Sequence, residues 1–176
     1  MTLRCGLVGL GYWMQSALLP ALRAQPDVEV VACVAGTLGE AEDFAAAAAI
    51  KAYPTLSAML AAERLDVAVV ATPDHVHARD VAALLGAGVA VYCEKPLAND
   101  SSTAHELVAL QQRTGVPATV GYSFRFNPAV QALRRDLAAG RFGDIWFVEL
   151  AEHNPQFHPH GKKPMNWKHD PAQAAG

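Results

Sequence analysis

Short valine-rich runs recur along this chain, each followed by a segment with helical spacing, and that alternation constrains the fold more than any other feature. The runs cover residues 3–8, 28–34, a short piece around Lys51, 67–71, 89–93 and 118–121. Their continuous apolar character is that of strands covered on both faces, since a half-exposed sheet shows apolar and polar residues in turn. Strands alternating with helices argue for parallel pairing through crossover helices. The expected fold class is therefore α/β, a doubly wound parallel sheet of six strands.

The punctuation between the runs agrees. Met14, Ala17, Leu18, Ala21 and Leu22 follow the spacing of one helix face, with Pro20 expected to kink or restart that helix. Asp100 or Ser101 can cap a helix reaching about Arg113, and Thr103 with Glu106 has capping-box spacing one turn further in. Asn127 before Pro128 starts a helix carrying Val130, Leu133 and Leu137 that stops at Gly140. After Gly143 the pattern changes: 145–150 (IWFVEL) reads as a strand, and the remainder has no sustained period. That strand, separated from its sheet, is expected to pair with another copy or fray.

Composition removes several function classes. Charged residues make up 18% of the chain without any long block, which excludes a polybasic arm and makes nucleic acid an unexpected partner. Arg, Asp or Glu interrupts every candidate for the roughly 18 apolar residues of a membrane span. The start MTLRCGLVGLGYW lacks a secretory pattern, so a cytoplasmic protein is expected. Cys5, Cys33 and Cys93, odd in number and widely spaced, read as reduced, buried strand residues. The 34 alanines imply a core built largely of small side chains, and the run 45–49 reads as the flank of a helix.

Three loops carry candidate chemistry. Gly9-Leu10-Gly11-Tyr12-Trp13-Met14 follows the first strand and opens the first helix, where a glycine turn brings backbone N–H groups to a pyrophosphate. Its third fingerprint position, usually Gly or Ala, is Met14, which should crowd helix against strand. About twenty residues on, where a carboxylate commonly bonds the ribose of NAD, stand Ala35, Gly36 and Thr37. Without an acid there, NAD and NADP both remain open, leaning to NADP.

In a sheet of order 3-2-1-4-5-6 the strands starting at residues 3, 67 and 89 are neighbours, so the loops GLGYW, ATPDHVH and CEKP line one crevice. Ala71, Thr72 and Pro73 form a turn whose hydroxyl and backbone can meet a ribose. Asp74 or His75 begins the next helix. His77 falls in line with Val81, Leu84 and Leu85 and points toward the sheet end, as a structural histidine or a site residue. Glu94-Lys95-Pro96 is either a solvated charge pair or, inside such a crevice, the acid–base group of a hydride transfer: Lys95 for the proton, Glu94 to orient it or hold the turn, Pro96 to fix the backbone. No metal site is expected. Asp74, His75 and His77 lie across a turn, and His153, His158, His160 and His169 have no framework that would gather a zinc ion.

Taken together, GLGYW, ATPDHVHARDVAALLGAGVAVYCEKPLA and GYSFRFNPAVQALRRDLAAGRFGDI resemble the Gfo/Idh/MocA oxidoreductases (glucose-fructose oxidoreductase, inositol dehydrogenase, rhizopine catabolism) across residues 3–150. The resemblance implies an NAD(P)-binding Rossmann domain at 1–143 and, at 144–176, the beginning of a truncated α/β substrate and oligomerisation domain. It implies an NAD(P)-dependent oxidoreductase passing hydride between nicotinamide and a CH–OH group of a sugar, cyclitol or similar polyol, in a homo-oligomer or a chain paired through 145–150. Lys95 matches the family's active-site lysine. Gly9, Gly11 and Trp13 match the dinucleotide turn, Thr72, Pro73 and His77 the second loop, 94–96 the third, and Arg125 an arginine after the sixth strand that lies near cofactor or substrate. The family's catalytic Asp and His would follow Gly176, so the alternative is a nucleotide-binding module without catalysis, a sensor or partner subunit.

Overall fold

The computed structural model describes residues 1–151. The chain divides after Gly121 into two compact units, whereas the motifs place the division at 143/144.

The first unit is built on six parallel strands, β1 (Leu3–Val8), β2 (Val28–Val34), β3 (Lys51–Tyr53), β4 (Val67–Val70), β5 (Ala90–Cys93) and β6 (Ala118–Val120), in the order β3-β2-β1-β4-β5-β6. The doubly wound sheet expected from the alternation is present, with every strand within a residue of its expected ends. Successive residues of a strand face opposite layers. Val8, Ala32, Val34, Ala68 and Val70 pack in one core with Met59, Val81, Leu84, Leu85 and Leu107 from helices α3 (Leu56–Ala62), α4 (Asp74–Gly86) and α5 (Ser101–Thr114). Cys5, Leu7, Cys33 and Val69 face the other layer, made by Met14, Leu19 of α1 (Leu19–Arg23) and Ala41 and Ala45 of α2 (Leu38–Ala48). Each large side chain so buried contributes about 1.5–3 kcal/mol relative to exposure. The alanine run thus belongs to a helix whose small residues let it approach the sheet closely.

Local chemistry sets the helix ends. Thr37 caps α2 through a capping box with Glu40, and Thr55 caps α3 by accepting from Ala58 N–H. Asp100 caps α5, accepting from both the N–H and the hydroxyl of Thr103, so the Thr103/Glu106 pair expected to form a second box lies inside the helix instead. Pro20 does not break the first helix: a π-helical turn, Met14–Leu18, runs into α1 with helical backbone at Leu18 and Leu19, and Pro20 is the second residue of α1.

The second unit contains a 3₁₀ turn, Ser123–Phe126, and helix α6 (Pro128–Ala138), capped by Asn127 accepting from Ala129 N–H. The strand expected at 145–150 is not formed. These residues carry no regular structure and are all exposed, and a strand acquires its hydrogen bonds only from a partner. The histidines at 153, 158, 160 and 169 lie outside the described residues.

Candidate functional site

The loops of the first unit leave one edge of the sheet together because the strand ends are in register: Val8 pairs with Val34 and Val70, Val70 with Cys93, and Cys93 with Val120. The ladder continues one residue into each loop. Gly9 N–H donates to Val34 O at 2.9 Å, Ala71 N–H to Val8 O at 2.8 Å, Glu94 N–H to Val70 O at 2.8 Å and Gly121 N–H to Cys93 O at 2.8 Å. The starts of the glycine turn, the Thr72 loop and the Glu94 loop are thereby fixed side by side.

Within the glycine turn the two glycines have different surroundings. Gly9 has φ +86°, and a Cβ there would lie 2.5 Å from Thr72 N and 2.7 Å from Ala71 O, so it is required both by conformation and by the neighbouring loop. Around Gly11 a Cβ would meet nothing within 4 Å, and the residue is exposed, which leaves its backbone open to a ligand. Tyr12 is also exposed. Met14 is fully buried against the sheet and opens the π-helical turn, whose wider winding accommodates a large side chain where the fingerprint keeps a small one.

Two side chains tie the loops to one another. Glu94 Oε1 accepts from the Trp13 indole N–H at 3.0 Å and from the Tyr92 hydroxyl at 3.2 Å, while its Oε2 accepts from Lys95 N–H at 3.3 Å. It therefore joins the glycine turn to the 94–96 loop. Burial, and then the Glu94 carboxylate, push the Tyr92 hydroxyl up to about 12, so it remains a donor at neutral pH. His77 is buried, with Nδ1 2.7 Å from Pro96 O and Nε2 2.8 Å from Thr72 O. Both oxygens are acceptors; a neutral ring donates to one and a doubly protonated ring to both. The ring stands between the second and third loops and is hydrogen-bonded to both only when both nitrogens carry protons.

The Thr72 hydroxyl donates to Asp80 Oδ2 at 3.2 Å, which leaves its oxygen free to accept. Asp80 is buried and also pairs with the Arg79 guanidinium at 2.9 Å. The sequence reading missed Asp80, although its place three residues after His77 on the apolar face of α4 is the signal that could have found it. Pro73 stands at the N-cap of α4 and Asp74 and His75 in its first turn. Lys95 is exposed, its bond to Pro96 is cis, and its ammonium has no hydrogen-bond or ion-pair partner among the described residues. Ala35, Gly36 and Thr37 follow β2 beside the glycine turn. Arg125 belongs to the second unit, in its 3₁₀ turn, and its carbonyl accepts from the Gln131 side-chain amide.

The three cysteines are free and buried, as expected, and burial pushes the Cys5 and Cys93 thiols up to about 12 and Cys33 to about 11. Among the described residues no group of three or more His, Cys, Asp or Glu could hold a metal ion, and no helix is long and apolar enough to cross a membrane.

A glycine turn at β1, joined to loops at the ends of β4 and β5, is the place where an open α/β sheet binds its ligand. Residues 3–122 match the family model described as Gfo/Idh/MocA oxidoreductases, NAD-binding Rossmann fold. The chain belongs to the Gfo/Idh/MocA family. Similar Gfo/Idh/MocA proteins include inositol 2-dehydrogenase of Leifsonia xyli, 32% identical over 154 residues, covering 87% of this chain and 45% of that one. Trans-1,2-dihydrobenzene-1,2-diol dehydrogenase of Bos taurus is 35% identical over 179 residues, covering all of this chain and 51% of its own. Among solved structures, the 3-ketoreductase KijD10 of Actinomadura kijaniata, in complex with TDP-benzene and NADP, superposes with a TM-score of 0.72 at 27% identity over 80% of this chain and 44% of that one. The chain spans about half the length of the curated relatives it matches.

Proposed function

We propose that the crevice at the ends of β1, β4 and β5 binds NAD(P) and serves hydride transfer to or from a CH–OH group of a sugar, cyclitol or similar polyol. The observation that carries this reading is the mutual placement of the three loops: Glu94 holds Trp13 and the Lys95 backbone, and the His77 ring lies within hydrogen-bond distance of the carbonyls of Thr72 and Pro96. Such placement pre-organises a ligand site before any ligand arrives. The residues fit a dinucleotide, since Gly11 leaves room for backbone approach to a pyrophosphate and 72–73 and 94–96 flank the turn. Bound nicotinamide would supply the hydride acceptor or donor.

The chain's own residues take the other parts. Gly9, Gly11 and the backbone of 12–14 would receive the phosphates, residues 36–37 and 71–73 the riboses, and His75, His77, Glu94 and Pro96 would shape the walls. Lys95, whose ammonium is exposed, would exchange a proton with the substrate oxygen as hydride leaves or arrives. Inositol 2-dehydrogenase, the diol dehydrogenase and the 3-ketoreductase among the relatives support a polyol-like small molecule as substrate.

Calorimetric titration of the chain with NADH and NADPH tests the cofactor half, and absorbance at the nicotinamide band with a panel of polyols tests the chemistry. Binding of at least one dinucleotide is expected. Where the polyol panel gives turnover, Lys95→Ala should lower it by roughly 10²-fold or more while leaving dinucleotide affinity within a few-fold. Turnover that survives Lys95→Ala would remove the lysine's part. Binding without turnover would favour a nucleotide-binding module.

A further inference from the structure

An acid stands at the end of β2 after all, supplied by the next helix. A nucleotide crevice separates a free ribose 2′-hydroxyl from a 2′-phosphate at this place, beside the glycine turn. The turn and β2 are joined here through Gly9 N–H and Val34 O, so Ala35, Gly36 and Thr37 are the residues that flank the turn. None is acidic. Glu40, however, folds back over them: its Oε2 accepts from Thr37 N–H at 3.2 Å, and its own N–H donates to Thr37 Oγ1 at 3.3 Å. The same Oε2 lies 3.4 Å from where a Cβ on Gly36 would stand.

The capping box that starts α2 therefore pins a carboxylate against Gly36, and Gly36, Thr37 and Glu40 are all exposed on that surface. Two consequences follow for a 2′-phosphate. Two of the N–H groups at this helix start, those of Thr37 and Glu40, are already satisfied internally. The charge it would meet is negative: Glu40 is followed by Glu42 and Asp43, and no Lys or Arg occurs between Arg23 and Lys51. Lys51 itself is paired with Glu63 at 2.7 Å.

We propose that Glu40 is the cofactor-selecting residue and that the chain takes NAD(H) in preference to NADP(H). This rests on the nucleotide-site reading above. A carboxylate and a dianionic phosphate several ångströms apart in a water-like medium repel enough to change affinity about tenfold.

The test is calorimetric titration of the whole chain and of Glu40→Gln, which keeps an oxygen to accept from Thr37 N–H while removing the charge. The wild type should bind NADH about tenfold more tightly than NADPH. In Glu40→Gln that ratio should fall by roughly tenfold, through tighter NADPH binding, with NADH affinity within about threefold and an unchanged thermal melt. Raising the ionic strength should narrow the wild-type ratio, which needs no variant. NADPH binding as well as NADH to the wild type, or a ratio that Glu40→Gln leaves unmoved, overturns the proposal. Failure of both dinucleotides to bind would instead overturn the nucleotide site itself, and the selectivity with it.

Discussion

Gly9 and Gly11 belong to one turn yet answer to different requirements, and substitution separates them. A methyl at Gly9 would run into the backbone of Ala71 and Thr72 in a conformation that L-residues rarely adopt. Gly9→Ala should cost about 3 kcal/mol or more, read as a lower urea midpoint. At Gly11 nothing opposes a methyl within 4 Å, so Gly11→Ala should leave stability within roughly 0.5 kcal/mol of wild type. Its effect should fall on dinucleotide affinity, weakened about tenfold as the added methyl blocks backbone approach to a pyrophosphate. Equal loss of stability in both variants would show the whole turn to be a packing device. The sequence motif named both glycines and could not tell these parts apart, because the distinction lies in how near the Thr72 loop comes. The same holds for Thr72, whose hydroxyl is placed by Asp80 on the following helix, and for Glu40, which reaches back from α2 to its N-cap Thr37; a strand-end motif records neither.

At the scale of elements, β1, β3 and the end of α3 are tied together by one carboxylate. Glu63, the C-cap residue of α3, accepts from Lys51 Nζ and the Tyr53 hydroxyl of β3 at 2.7 Å each through Oε1, and from the Arg4 guanidinium of β1 at 2.7 Å through Oε2. Its side chain is only 4% exposed. Lys51, then Tyr53, and also Arg4 hold the Glu63 carboxyl below its ordinary value, against burial acting the other way. A carboxyl lowered on folding stabilises the native state wherever the unfolded chain would be ionised, and the gain is lost as pH falls through the folded value. Wild-type stability from this group should therefore be full at neutral pH and decline below about pH 4.5. Glu63→Gln should cost about 2 kcal/mol at pH 7, and the gap to wild type should shrink in acid. A gap that urea titrations find independent of pH would assign the loss to packing alone. The strands and most helix starts were legible from valine runs and capping residues, which act locally. This cluster was not, since it gathers Arg4, Lys51, Tyr53 and Glu63 from distant parts of the chain by virtue of the β3-β2-β1 order.

For the whole molecule, the unit that ends at Gly121 has two covered sheet faces and the second unit does not share that economy. In the second unit no residue of α6 is buried, and Val130, Leu133 and Leu137 all stay partly open to solvent. Beyond it Ile145, Trp146, Phe147, Val148 and Leu150 are exposed, Trp146 at 94% and Leu150 at 89%. The apolar pattern that made 145–150 read as a strand is real, but a strand is a property of a pair, and the described residues provide this segment no ladder partner. That is why periodicity located the element correctly as a candidate and misjudged it as an element. A contiguous apolar, β-prone stretch with one charge, Glu149, is a template for association rather than a surface that water tolerates. The chain should accordingly associate in a concentration-dependent way, measurable by light scattering coupled to size-exclusion chromatography. Replacing Phe147 and Val148 together by Lys should weaken that association by at least about tenfold, because two charges must then be buried or the contact given up. Since both side chains are exposed, the variant should keep the thermal melt of the first unit and its dinucleotide affinity. A wild type that stays monomeric at high micromolar concentration, or a doubly charged variant that associates as readily, would place the driving surface elsewhere, with the open face of α6 as the next element to charge.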